Sequence, residues 1–468
     1  MKTKEAIVFS LLVLFAILPN ILVVCLASDV TTVGARFLYC FQTLVLYAIG
    51  LALVHRRAYL YIVSLGFIFS VFELFHLFMR GKTMTMLYLY TWLKTSPEEL
   101  NALYSPYIWL AFLGLVVWIG FYVLAHYFVA REYILPLRWR IPVAAVLVSI
   151  YMLVPMQVNP MNVVQRFGQV ASMAIHVERT QPKQRQFSYG IVPKETKAQE
   201  TLIVVLAETS YEQWRSLDFK DSLAIDFSEV YAKCPVSGVA VPMALSRATA
   251  SHITPFFEEK SVIKAFDEAE FYTAWLSNYG YHDHFLMRIA DDCRYLSYLP
   301  GEADTALLVP FREVMAQPAL RHMAVLVTQG GHHDQSLAQT PALLRALTDS
   351  LRTVHQPAMM VYVGSPTIRL DNATSDLHVP FVVWTNPNYR YRHRPLIRSL
   401  QAQREQRFST NVLFHSLLYW HSIDCPQLDN RLAIGHEQFE VADTIHYLDE
   451  NLQVQALDFQ SFCPKRCK

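Results

Sequence analysis

Five long apolar runs, all within the first 158 residues, constrain this chain more than any other feature. They are Ala6 to Ser28, Phe37 to Val54, Ala58 to Met79, Tyr107 to Ala130 and Ile141 to Val158. A helix of about 20 apolar residues crosses a bilayer core, so each run is expected to span a membrane. The first follows Lys2 and Lys4 and ends near Cys25-Leu26-Ala27, the outline of a signal peptide. It is too long for one and four more runs follow, so it is read as a retained anchor. Charged residues make up only 17% of the chain, against roughly a quarter in soluble domains. This arithmetic excludes a disordered, collagen-like or disulfide-miniprotein chain. With 40 basic and 39 acidic side chains, there is no electrostatic case for nucleic-acid binding.

The short loops set the orientation. Lys2, Lys4, Arg56, Arg57, Arg131, Arg138 and Arg140 fall on one side, with Arg36, Arg80, Lys82 and Lys94 spread over longer connections on the other. The denser basic set marks the cytoplasm, so five spans put the C-terminal part outside, in the periplasm of a bacterium with two membranes. Glu73 and His76 share one face of the third span near its outer end, where snorkelling to the interface is the expectation. Of the seven cysteines, Cys234, Cys293, Cys425, Cys463 and Cys467 lie in the outer part, and an oxidising compartment permits disulfides there. Cys463 and Cys467 are near enough in sequence to pair, and the connectivity stays open.

Residues 1–158 thus read as a five-span membrane domain, 159–200 as a connector and 201–468 as an outer domain. The connector starts weakly amphipathic (Val163, Val164, Phe167, Val170) and turns polar over residues 181–186. Beyond it, Leu202 to Ala207, Tyr272 to Leu276, Ala324 to Val327, Met359 to Val363 and Pro380 to Trp384 are unbroken apolar stretches of strand length. Strands covered on both faces read this way. Helical patterns at Val262 to Ala269 and Leu343 to Val354 lie between them, which predicts an α/β sandwich with a mostly parallel sheet. Such sheets carry their chemistry at the carboxyl ends of the strands. The candidates there are Glu208-Thr209-Ser210, Gly330-Gly331-His332-His333-Asp334 and Gly364-Ser365-Pro366.

Leu202 to Ser210 (LIVVLAETS), followed by Cys234-Pro-Val-Ser-Gly-Val-Ala-Val-Pro242, resembles the bacterial phosphoethanolamine transferases that modify lipid A and related glycans. These belong to the alkaline phosphatase/sulfatase-like superfamily. In that family a strand ends in Gly-Glu-Thr or Gly-Glu-Ser and its glutamate binds zinc, which Glu208 matches with Ala207 in place of the glycine. The family's nucleophilic threonine in Thr-x-x-Ser-Val-Pro corresponds to Ser237, which keeps a hydroxyl and would also touch the metal. The motifs Trp275-Leu-Ser-Asn278, Asp304-Thr-Ala-Leu-Leu-Val-Pro310, Gly330-Gly331-His332 and His378-Val-Pro-Phe-Val-Val-Trp384 resemble further family segments. Thr95-Ser-Pro-Glu-Glu99 resembles its extracytoplasmic Thr-Asn-x-x-Glu element. The resemblance implies an inner-membrane enzyme that moves phosphoethanolamine from phosphatidylethanolamine to a lipid A or glycan acceptor. Ser237 and His332 would be catalytic, and Glu99, His332 and His333 would contact substrate.

The sequence departs from the family at its metal site. Where the family has Ser-Asp-His-Gly, this chain reads Tyr362-Val-Gly-Ser-Pro366, so Ser365 and Pro366 stand in the ligand positions. The Gly-Tyr-x-Arg-x-Thr-x-Pro run between Glu208 and Ser237 is also missing. Substitute ligands available in sequence are His332, His333, Asp334, Asp371, Asp376 and His378, or His282, Asp283 and His284. Two readings therefore stand: a transferase with an atypical metal site, and a degenerate scaffold that binds lipid or a partner protein. On the charge rule, reporter fusions after Arg57 and after Glu200 should signal from opposite sides of the membrane. Equal signals would refute the topology.

Overall fold

The computed structural model describes residues 3–27, 32–80, 83–94, 105, 108–153, 160–193, 199–279, 284–332, 334–366 and 377–457. Within these, the side chains of His284, His332 and Asp334 are among those outside the description. Two compact units divide at Ser172/Met173.

The first unit is helical: α1 (Thr3–Leu26), α2 (Val33–Leu53), α3 (Arg56–Arg80), α4 (Met86–Lys94), α5 (Ile108–Phe128), α6 (Leu137–Met152) and the start of α7 (Pro160–Gln186). Three of them are long and apolar enough to cross a membrane, over Lys4–Leu26, Val33–Leu53 and Arg56–Phe78. The helix α5 covers the fourth apolar run with 21 residues. The described part of the fifth run lies in α6, whose 16 residues cover about 24 Å at 1.5 Å per residue. Glu73 corrects the snorkelling expectation. Its side chain is buried, accepts from Met84 N at 2.9 Å and pairs with Arg166 Nη1 at 3.0 Å. A carboxylate at this depth is tolerated because a guanidinium and a backbone N–H replace water. The His76 ring lies 4.3 Å from that of Tyr88.

The second unit holds a seven-stranded sheet of order β2-β8-β7-β1-β6-β4-β5. Its strands are β1 (Glu200–Glu208), β2 (Ala224–Phe227), β4 (Tyr272–Ser277), β5 (Tyr295–Tyr298), β6 (Arg321–Thr328), β7 (Ala358–Ser365) and β8 (Phe381–Thr385), while β3 (Glu229–Tyr231) pairs outside it with β9 (Arg407–Ser409). The strand β1 runs parallel to β6 and β7, and β4 parallel to β5 and β6. Only β8 breaks the pattern, antiparallel to β7 and β2. Each unbroken apolar run anticipated in the sequence is a strand. The two short edge strands β2 and β5 were not anticipated, because neither carries a long apolar run.

Alternation explains the runs. Leu202, Val204 and Leu206 enter the apolar layer that also holds helices Val262–Glu268 and Val412–Trp420. Ile203, Val205 and Ala207 enter the opposite layer, with Phe311, Val314, Leu343 and Leu347. Both faces of β1 are therefore dry, and each large side chain so buried stabilises the fold by about 1.5–3 kcal/mol. Within the stretch read as a connector, Pro160–Gln186 is one long helix. Its polar end lies within the second unit, where Gln184 accepts from Arg288 Nε at 3.0 Å and donates to Glu259 O at 3.0 Å. Truncating Ile203 to Ala should cost about 2–5 kcal/mol of unfolding free energy, read by denaturant unfolding of the purified chain. A loss below about 0.5 kcal/mol, the level of a neutral surface change, would contradict the double burial of β1.

Candidate functional site

Glu208 is the last residue of β1, and the parallel register places it beside Ser365 at the end of β7. Thr209 N donates to Ser365 O at 2.9 Å, and Tyr362 Oη to Thr209 Oγ1 at 2.8 Å. The chain turns at once into α8 (Tyr211–Ser216) through a capping box in which Ser210 Oγ accepts from Gln213 N and Ser210 N donates to Gln213 Oε1. Thus Ser210 serves the turn, and Glu208 alone of that triplet faces the cleft at the sheet's carboxyl end.

Ser237 opens α9 (Ser237–Ala244). Four residues separate it from Pro242, which sits inside the helix rather than at its start. The N-cap is Val236, with no side-chain capping bond, so the Ser237 hydroxyl is not consumed as a cap. It donates to Glu208 Oε1 in a short hydrogen bond. Both residues are partly exposed, so the pair is accessible from solvent.

The buried Lys233 holds the other end of α9. Its ammonium donates to Met243 O and Ala248 O, each at 2.7 Å, satisfying carbonyls that a helix end leaves orphaned. Burial pushes the amine down to about 7. Burial, and next the charge of Lys233, push the neighbouring His415 down to about 4. Sequence reading passed over Lys233, although a lysine amid Tyr231-Ala232-Lys233-Cys234 was a signal.

A second carboxylate shapes the β6 side. Asp304 accepts from Asn278 Nδ2 at 2.7 Å and from the backbone N–H groups of Gln329 and Gly330, each at 3.2 Å. Burial raises its pKa, opposed by those donors. It fixes the turn Gly330–His332 against β1. A Cβ on Gly331 would lie 2.7 Å from Glu208 O, so only glycine permits that approach. The backbone of His332 is thereby carried beside the Glu208 turn.

Because β8 is antiparallel, His378, three residues ahead of its first residue, lies at this same end: Tyr211 N donates to His378 O at 2.9 Å. The His378 ring is stacked 4.1 Å from Tyr211 and 5.1 Å from Tyr231, and Nε2 meets Ser228 O at 2.7 Å. That packing accounts for His378 as a structural group rather than a substitute ligand. Ser365 Oγ donates to Ala207 O at 3.3 Å. Among the described residues no group of three or more His, Cys, Asp or Glu could hold a metal. Glu99, His282, Asp283, His333, Asp371, Asp376, Cys463 and Cys467 lie outside the described residues. Cys234, Cys293 and Cys425 are free thiols.

No protein-family model and no curated protein sequence matches this chain. Solved structures do. The integral membrane lipooligosaccharide phosphoethanolamine transferase A (EptA) from Neisseria meningitidis superposes with a TM-score of 0.67 at 14% identity, over 91% of this chain and 98% of that one. The C-terminal periplasmic domain of EcEptC from Escherichia coli gives 0.50 at 15% identity, over 58% of this chain and 96% of that domain. The same domain in complex with Zn gives 0.49 at 14% identity, over 58% and 96%. At these identities the likeness establishes the fold alone: apolar N-terminal helices joined to an α/β domain with a mostly parallel sheet.

The Lys233 geometry makes a signed prediction. An amine depressed to about 7 in the folded state and near 10.4 when unfolded leaves the unfolded chain with more bound protons between those values. Stability should therefore rise with pH from about 7 to about 10. The stability difference between wild type and Lys233→Met should grow across that window. A flat difference would mean that burial does not depress the amine.

Proposed function

We propose that this chain, which has the two-part fold of a lipooligosaccharide phosphoethanolamine transferase, is an inner-membrane phosphoethanolamine transferase with Ser237 as its nucleophile. The observation that carries the reading is the hydrogen bond from the Ser237 hydroxyl to Glu208 at the carboxyl end of β1. A serine hydroxyl needs a base or a metal to become an effective nucleophile, and a carboxylate in direct hydrogen-bond contact satisfies the geometric condition for a base.

In the first displacement Ser237 Oγ bonds to the phosphorus of phosphatidylethanolamine and its proton passes to Glu208. The bond to the glyceryl oxygen breaks, and diacylglycerol leaves as the alcohol after taking a proton. In the second, an acceptor hydroxyl on lipid A or an envelope glycan attacks the phosphoserine and Ser237 is restored. The first backbone N–H groups of α9 favour the negative phosphate at this position. His332, His333 and Glu99 are the expected headgroup contacts. The N-terminus belongs in the cytoplasm and the second unit in the periplasm, where donor and acceptor are found.

Zinc is implied by the family resemblance, and the described donors do not fit it. A catalytic zinc takes three protein ligands, whereas Glu208 and Ser237 offer two oxygens. Ser365 Oγ is turned to a backbone carbonyl, and Pro366 has no donor atom. The steps above therefore rest on the chain's own groups.

Mass spectrometry of envelope lipids and glycans from cells with and without the protein tests the reading. A phosphoethanolamine increment should accompany the wild type, vanish with Ser237→Ala, and fall about 10²–10⁴-fold with Glu208→Gln, the usual contribution of a general base. No increment with the wild type would leave the degenerate scaffold that binds lipid or a partner and transfers nothing.

A further inference from the structure

At the amino end of the sheet, a strand's length from Ser237, the second unit has a cavity of about 580 Å³. Glu200 and Arg321, which open β1 and β6, line it together with Trp420, His421, Arg392 and His393. Glu208 lies roughly 26 Å away, eight residues of extended chain along β1, so this cavity is separate from the transfer site.

Burial raises the Glu200 carboxyl, and His421, His393 and Arg321 together hold it below its usual value. Glu200 is bound by His421, whose Nδ1 meets Oε1 at 2.6 Å and whose side chain is fully buried. Asp424, at the exposed rim, already has a partner. The Arg321 guanidinium carbon lies over the Phe271 ring, 4.5 Å from its centroid. No hydrogen bond or ion pair to a carboxylate fixes it, or Arg392, among the described residues. A guanidinium over an aromatic ring keeps its in-plane N–H donors free for an oxyanion. Together the guanidiniums of Arg321 and Arg392 offer more donors than one carboxylate can accept bidentately, whereas the three free oxygens of a phosphomonoester can serve both. Ile191, Trp420 and Ile423 give the same cavity an apolar wall.

We propose that this cavity is a second ligand site that takes a phosphomonoester carrying a short apolar group, its phosphate gripped by Arg321 and Arg392 and its chain laid against Ile191 and Trp420. Soluble phosphomonoesters and the exposed phosphate of a lipid such as phosphatidic acid share this chemistry.

Calorimetric titration of the full-length protein in detergent distinguishes the sources. The probes are inorganic phosphate, n-butyl phosphate, and phosphatidic acid against phosphatidylcholine in mixed micelles. Saturable binding of n-butyl phosphate, tighter than inorganic phosphate, marks a soluble ligand. Saturable binding of phosphatidic acid alone marks a lipid. Either supports the site when Arg392→Gln and Arg321→Lys each weaken it about tenfold, the worth of one charge-assisted hydrogen bond, while Ser237→Ala leaves it unchanged. Arg392 is exposed, so its variant keeps the fold, and Arg321→Lys keeps the charge but loses the fork. No saturable binding of any probe, binding indifferent to both arginine variants, or binding lost with Ser237→Ala would each overturn the proposal.

Discussion

The second unit depends on a single strand that is dry on both faces. With Leu202, Val204 and Leu206 in one apolar layer and Ile203, Val205 and Ala207 in the other, a register slip of one residue in β1 would exchange the two sets. The ladders to β6 and β7 on either side add a second constraint, because parallel pairing aligns all the carboxyl ends. Glu208 is thus delivered beside Ser365 and the Gly330 turn by the burial of the residues before it. Gly364 completes the arrangement: a Cβ there would collide with Thr209 O and Pro380, so the crossing of β7 under the Glu208 turn requires glycine.

Polar groups in this fold are retained where a specific donor or acceptor replaces water. Lys233 finds the carbonyl end of α9, Asp304 finds three N–H donors, and Glu73 finds Arg166 and a backbone N–H. Each would be costly if left unpaired. Lys233 and Asp304 act on the same cleft from opposite sides, one fixing the helix that carries Ser237 and the other fixing the turn that closes on Glu208. The hydrogen bond between Ser237 and Glu208 follows from those two anchors and the end of β1.

The two ends of the sheet therefore differ in chemistry. At the carboxyl end a carboxylate meets a hydroxyl, with α9's amino terminus beside them. At the amino end Glu200 meets His421 in a cavity that Arg321 and Arg392 also line. A sheet whose strands are almost all parallel separates these ends by its full height, so a ligand at one need not disturb the other.

Much of this was legible in the residues. Strand-length apolar runs without alternation can only be covered on both faces, and helical runs of 20 apolar residues can only be at home in hydrocarbon, so the α/β class and the membrane part follow from burial energetics alone. The strand-end rule also singled out Glu208, and the resemblance to the transferases' Thr-x-x-Ser-Val-Pro motif singled out Ser237. Other features belong to the tertiary structure. Short edge strands such as β2 and β5 bury too little to leave a pattern. The fate of Glu73 was decided by Arg166, 93 residues away, and that of His378 by two tyrosines stacked on its ring. Whether Ser237 caps its helix or faces Glu208 depended on Val236 taking the N-cap position of α9. Periodicity reports which face of an element is buried; which side chains then meet across elements is set by register and packing, and only the folded chain contains that information.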